Sequence, residues 1–189
     1  MEIQYVLGDA TNPKLGEPAQ PVIIVHMCND AGAWSKGFFQ ALSDRWTEPE
    51  AQYRTWFENR ADGTFALGEV QFVAVEENVW VANLIGQSGI RPRSGVPPIH
   101  YEALRDGLRR VAVKAKEAGA EVHMGRIGCG IAGGKWEDVQ KLVHNQLTAR
   151  DIPVIVYDAP APVAAPNYSR APETSALRDP AGVLVNKPG

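Results

Sequence analysis

Only two cysteines occur in the 189 residues, and two thiols cannot build a disulfide framework. Cys28 and Cys129 stand about a hundred positions apart among apolar or glycine-rich neighbours, so reduced thiols in a cytoplasmic setting are the expectation. The four histidines, His26, His100, His123 and His144, fall in no H-E-x-x-H or similar ligand spacing, and no metal or cofactor is expected. No G-x-S-x-G elbow is present either. A basic excess is missing: the formal charge is -3, which argues against a grip on bulk nucleic acid. No apolar run approaches the ~20 residues a membrane span needs. The opening "MEIQYVLGD" starts with an acid and alternates like a strand, without the basic and apolar parts of a signal peptide. No membrane association follows.

What is present reads as one domain with a substantial core, at 44% hydrophobic and 22% charged residues. "IQYVLGD", "PVIIVHMC", "VQFVAV", "VWVANLIG", "EVHMGRIG" and "PVIVYD" have strand character. Three segments carry helical period: Gly37 to Trp46 with Phe38, Ala41 and Leu42; Tyr101, Leu104, Leu108, Val111 and Ala115; and Trp136, Val139, Val143 and Leu147. Alternating strands and helices predict a three-layer α/β/α domain over residues 1–158. "VQFVAV" and "VWVANLIG" are separated only by "EEN", which predicts a hairpin and hence a mixed sheet of about six strands. From residue 159 to 189 the composition turns to proline and alanine without period, and an extended or disordered tail is expected because it has too little apolar surface to offset the entropy of ordering. A monomer is expected.

In an open α/β sheet, ligands bind beyond the carboxyl ends of the strands, and four segments fall there. In "GDAT", Asp9 and Ala10 follow the first strand; Asp9 is placed to accept from an exocyclic amine, or else to form a turn or N-cap. In "HMCNDAGAWSKGFF" a buried strand empties into a loop that enters a helix at Gly37, and bare amides at such an entrance suit a diphosphate. Asn29 offers a donor and an acceptor for a sugar hydroxyl, and Lys36 a countercharge, or else it is a solvated loop lysine. "NLIGQSGIRPRSG" carries Gln87 and Ser88 between Gly86 and Gly89, as a site loop or a plain surface loop. "RIGCGIAGGKW" strips side chains at Gly128, Gly130, Gly133 and Gly134, which lets backbone amides converge as an anion nest. It is not a Walker loop, because Lys135 is followed by Trp136. Two glycine loops, each between a strand and a helix, imply one elongated phosphate-containing ligand held between them.

Together these segments resemble a macrodomain, the ADP-ribose-binding α/β/α module, over roughly Met1 to Asp158. "GDAT" resembles the family's strand end whose acid binds the adenine amine, which points to Asp9. "HMCNDAGAWSKGF" resembles its first ligand loop, with His26 standing for the first asparagine of N-x-x-N, Asn29 for the second and Gly37 for the loop glycine. "RIGCGIAGGKWEDV" resembles the phosphate-cradling loop, implying Ile127, Gly128, Cys129, Gly130, Ile131 and Ala132 as ligand contacts, and "PVIVYD" resembles the last strand, where Tyr157 would lie against adenine. Trp34, Ser35 and Lys36 join the site through the first loop, with Trp34 expected as a lid over the diphosphate or distal ribose and packing beneath the loop as its alternative.

The phrases R-I-G-C-G, W-E-D-V and Y-E-x-L resemble the branch that contains the terminal ADP-ribose glycohydrolase. That branch uses a lysine and an aspartate where this chain has Gln87 and Ala132, and other hydrolytic macrodomains place an aspartate where Phe39 stands. The implied function is an ADP-ribosyl hydrolase acting on acidic protein side chains or on a small ADP-ribose derivative, with Asn29, Asp30 and Gln87 as the remaining catalytic candidates, Asp30 being explained equally well as part of a turn-forming Asn-Asp pair. The alternative is a non-catalytic ADP-ribose reader. In either case the partner is ADP-ribose or an ADP-ribosylated protein.

Overall fold

The structure, a computed structural model, describes residues 1–13, 20–34 and 37–159. Ser35, Lys36 and the proline/alanine-rich tail, for each of which an expectation was stated, lie outside the described residues.

All six expected strands form: β1 (Gln4–Leu7), β2 (Val22–Asn29), β3 (Val70–Glu76), β4 (Val79–Gln87), β5 (Glu121–Met124) and β6 (Val154–Asp158). Their order in one sheet is β1-β6-β5-β2-β4-β3. Every neighbouring pair is parallel except β3 with β4, so the sheet is mixed as the short "EEN" link required. Asn78 takes the left-handed conformation in that turn, with φ 61°, a conformation asparagine tolerates better than most residues. Strand β2 is buried at all eight positions, which explains why it reads as a nearly continuous apolar run rather than an alternation.

The expected helices appear as α1 (Phe38–Arg45), α3 (Tyr101–Ala118) and α4 (Trp136–Gln146). A fourth, α2 (Glu48–Glu58), corrects the expectation of three. It buries only Pro49 and Tyr53, so its apolar stripe is thin. The signals that mark it are proline in the first turn and the acids Glu48 and Glu50 there.

Helices α3 and α4 cover one face of the sheet, where Leu104, Leu108, Val111, Val139 and Val143 pack on Ile23, Val25, Leu84, Val122 and Val156. Gly107 brings α3 close to the strands; a Cβ there would stand 2.5 Å from Leu84 Cγ. On the opposite face α1 seats Leu42, with Trp46 just beyond its end, against Val22, Ile24 and Val81. Tyr53 of α2 meets Cys28 and Ile85 beside them. His100 is the N-cap of α3, its Nδ1 accepting the Ala103 amide at 3.2 Å. Because β1, β2, β4, β5 and β6 run parallel, the segments after all five emerge at one rim of the sheet. No helix among the described residues is long and apolar enough to cross a membrane.

Candidate functional site

A cleft of about 1070 Å³ opens at that rim. Its walls come from all four segments: Gly8 to Ala10 after β1, Asn29, Ala33 and Gly37 after β2, Gln87 and Ile90 after β4, and the glycine loop after β5, with Tyr157 and Asp158 of β6. Parallel order thus gathers what is scattered over 150 positions.

The first loop is held by its own asparagine. Asn29 Oδ1 accepts the amides of Ala31 and Ala33, both at 3.0 Å, and Nδ2 donates to the Ala33 carbonyl at 2.7 Å. The Tyr53 hydroxyl, from α2, donates to the Asn29 carbonyl at 2.6 Å. Gly32 has φ +70°, and a Cβ there would fall 2.4 Å from the Phe57 ring, so the turn demands glycine. Asn29 lines the cleft, but its amide is spent largely on shaping the loop.

Asp30 has a similar commitment. Its Oδ1 accepts the Gly89 amide at 2.6 Å and its Oδ2 the Ser88 hydroxyl at 3.1 Å. The carboxylate therefore latches the loop after β2 to the loop after β4, and Asp30 is not among the described residues that line the cleft. Gln87 does line it, with Nε2 anchored on the Gly89 carbonyl at 2.9 Å.

Trp34 takes the alternative to a lid. Its Nε1 donates to Ser43 Oγ at 2.8 Å, and that hydroxyl donates to Glu50 Oε2 at 2.7 Å. The indole packs edge-on against Phe39 and His26, with centroids 4.8 and 5.4 Å away, and tilted against Tyr53 at 5.5 Å. A half-buried indole needs both an apolar bed and an acceptor, and α1 with α2 supplies both beneath the loop.

The second loop is a nest. Cys129, Gly133 and Gly134 donate their amides to Arg126, Gly130 and Gly128 carbonyls at 3.2, 3.0 and 2.8 Å. The amides of Gly130, Ile131 and Ala132 have no backbone acceptor among the described residues, and these three residues line the cleft. Gly128 has φ +75°, and a Cβ there would meet Ile99 Cδ1 at 2.7 Å, so the turn and its packing both exclude a side chain. Cys129 turns away from the lining, its thiol reaching the Ile127 carbonyl at 3.5 Å.

Two histidines stand under the site. His26 lines the cleft and its Nε2 meets Asn83 Oδ1 at 2.5 Å. Asn83 Nδ2 donates to the Pro49 carbonyl and Gln71 Oε1, both at 3.0 Å, so Oδ1 is the acceptor and His26 carries its proton on Nε2. Burial lowers the His26 pKa to about 4, against the partial support of Asn83. The ring is neutral at physiological pH. Burial also pushes the neighbouring Cys28 thiol up, so it remains protonated. His123 Nδ1 meets the Tyr157 hydroxyl at 2.9 Å, which fixes the tyrosine's orientation at the β6 end of the cleft. Burial lowers His123 as well, opposed by Glu121.

At the β1 end, Asp9 Oδ1 accepts the Thr11 amide at 2.8 Å, an Asx turn that aims the carboxylate at the rim. Two further charged residues, not singled out by sequence reasoning, line the same end: Arg126 and Asp158. Each directly adjoins a recognisable feature, the glycine loop for one and the apolar strand for the other. No group of three or more His, Cys, Asp or Glu side chains that could hold a metal occurs among the described residues.

No family model matches the chain. Among solved structures, a macrodomain protein from Streptomyces coelicolor is 51% identical, with 83% of this chain and 99% of that one covered at a TM-score of 0.74. The chain belongs to the macrodomain family. This macrodomain is also 32% identical over 167 residues to the mouse (Mus musculus) chromodomain-helicase-DNA-binding protein 1-like, covering 84% of this chain but only 18% of that protein. It thus spans less than a fifth of that curated relative's length. The Thermosipho africanus DarTG, determined in complex with ADP-ribose, shares the fold at 18% identity and a TM-score of 0.64, over 87% of this chain and 43% of that one.

Proposed function

We propose that the cleft binds ADP-ribose and that this macrodomain is an ADP-ribosyl hydrolase, releasing ADP-ribose from acidic protein side chains or acting on a small ADP-ribose derivative. The observation that carries the reading is the run of amides at Gly130, Ile131 and Ala132, without backbone acceptors among the described residues, on residues that line one cleft together with the helix entrance at Gly37. Two such elements suit a central diphosphate with a group at either end. The ADP-ribose held by the Thermosipho africanus relative supports the ligand. In this reading Asp9 accepts from the adenine amine and Tyr157 lies against the base.

The distal end, lined by His26, Ala33, Gly37, Phe38 and Phe39, holds a neutral imidazole and no carboxylate among its described residues. That composition favours one class of bond. A glycosyl ester to Asp or Glu leaves as a carboxylate of pKa roughly 4, which needs no general acid. An ether to a serine would need one. Attack by a water on the distal ribose carbon then requires positioning and charge stabilisation. We assign the water to Gln87 and a ligand phosphate oxygen, which takes the water's proton as the new C–O bond forms, the ribose–carboxylate bond breaks and the side-chain carboxylate leaves with the bonding pair. The phrases R-I-G-C-G and W-E-D-V support kinship with the terminal glycohydrolase branch, by a mechanism without its lysine. The proposed setting is the cytoplasm, supported by the free thiols Cys28 and Cys129.

A non-catalytic reader is the second reading, favoured by the commitment of Asn29 and Asp30 to loop structure. The deciding experiment offers substrates mono-ADP-ribosylated on glutamate/aspartate or on serine and follows free ADP-ribose. We expect release from the acidic linkage alone. Binding without release from either substrate would leave the reader.

Asp9→Ala is expected to weaken ADP-ribose binding by about 1–3 kcal/mol through loss of a charge-assisted hydrogen bond. Asp9→Asn retains an acceptor for the Thr11 amide and separates the turn from the ligand contact. Calorimetric titration that finds Asp9→Ala unchanged would remove Asp9 from the base site.

A further inference from the structure

Arg126 and Asp158 take no part in the reading above, yet both face the cleft beside Asp9 and Tyr157. Arg126 Nε donates to Asp158 Oδ1 at 2.5 Å and its terminal nitrogen to Oδ2 at 2.8 Å, a two-pronged pairing that fixes the guanidinium plane. Its carbon lies 5.5 Å from the Tyr5 ring centroid and 5.3 Å from that of Trp136. Those rings brace each other edge-on at 6.4 Å, and Trp136 Nε1 donates to the Tyr5 hydroxyl at 3.2 Å. The Arg126 side chain nevertheless remains 42% exposed.

An ion pair this open adds little to stability, so three residues, Tyr5 of β1, Trp136 of α4 and Asp158 of β6, immobilise the flat cation of the second loop for small structural gain. Pairing with Asp158 largely cancels the positive charge, which makes the group a poor counterion for phosphate. A rigid, nearly neutral plane is instead suited to the face of a heteroaromatic base, because guanidinium stacks on π systems and its ordering entropy is already spent.

We propose that Arg126, held flat by Asp158, is the shelf on which the purine of the bound nucleotide stacks. The inference rests on the reading that the cleft takes ADP-ribose. The shelf sets a preference for a flat base at this end, while the glycine loop holds the diphosphate.

The test titrates wild type, Arg126→Ala and Arg126→Lys with ADP-ribose at low and high salt, alongside thermal unfolding of each. Stacking predicts that both variants bind roughly three- to thirtyfold more weakly, since lysine keeps the charge and loses the plane. It also predicts the same salt dependence as wild type. Affinity unchanged in Arg126→Ala, affinity restored in Arg126→Lys, or a salt dependence flattened by removal of the arginine would each overturn the shelf, the last two by revealing a phosphate contact. Failure of wild type to bind ADP-ribose would overturn the cleft reading and the shelf with it. Binding by wild type with an ineffective Arg126→Ala would sink the shelf alone.

Discussion

Gly130→Glu is expected to abolish ADP-ribose binding, by ~100-fold or more, while melting within about 2 °C of wild type. A Cβ built at Gly130 meets nothing within 4 Å, and the residue is not among the glycines of positive φ. The backbone therefore accepts a side chain without strain. That side chain would enter the cleft that Gly130 lines, adding bulk and a negative charge where the ligand's diphosphate is proposed to sit. Its neighbour makes the necessary contrast: at Gly128 the positive φ and the Ile99 contact at 2.7 Å would confuse lost binding with a damaged loop. Calorimetry with ADP-ribose and a thermal melt of the same sample check both halves. Undiminished binding would move the diphosphate away from the second loop.

Acidification should destabilise the fold well above the range in which carboxylates titrate. The unfolded chain binds a proton at His26 near 6.5, whereas burial holds the folded value to about 4. Between those values the unfolded state carries more protons, so stability falls as pH falls, by about 3 kcal/mol in all. His123, also lowered by burial, contributes with the same sign. Glu50 and Asp158 have folded pKa values below their ordinary ones, so their contributions are lost only at more acid pH. His26→Asn removes the titrating ring but keeps a polar group opposite Asn83. Its stability should be lower at pH 7, yet fall less between pH 6.5 and 4.5 in urea unfolding. Equal slopes in variant and wild type would show that His26 is not the acid-sensitive group. The same neutrality bears on function: His26 supplies neither a cation nor a general acid to the cleft near pH 7.

Most of the secondary structure was legible because its signals are local. Alternation marked β3, an uninterrupted apolar run marked β2, and three- and four-residue spacing marked α3 and α4. The one missed helix had wider consequences. Tyr53 of α2 clamps the Asn29 carbonyl and Glu50 anchors the Ser43 hydroxyl that receives Trp34. Without α2, Asn29 read as a ligand group and Trp34 as a lid. With it, the Trp34 indole is part of the loop's support, and Asn29 shapes the loop while it lines the cleft. Asp30 likewise read as either a general base or a turn former, because its partners, Ser88 and Gly89, lie 58 and 59 positions away.

Residue type at short spacing specifies the strands, three of the helices and the two glycine turns between strand and helix. It also marks the rim as the place for a ligand, through glycine-rich turns such as the one at Gly128, where φ is positive and a Cβ would meet Ile99. Which side chains open onto the cleft follows from long-range packing. Strand order and helix packing set that choice, and they brought Arg126 to Asp158 across 32 positions while drawing Trp34 and Asp30 into supporting contacts. A side chain's role depends on partners that short-range periodicity does not specify.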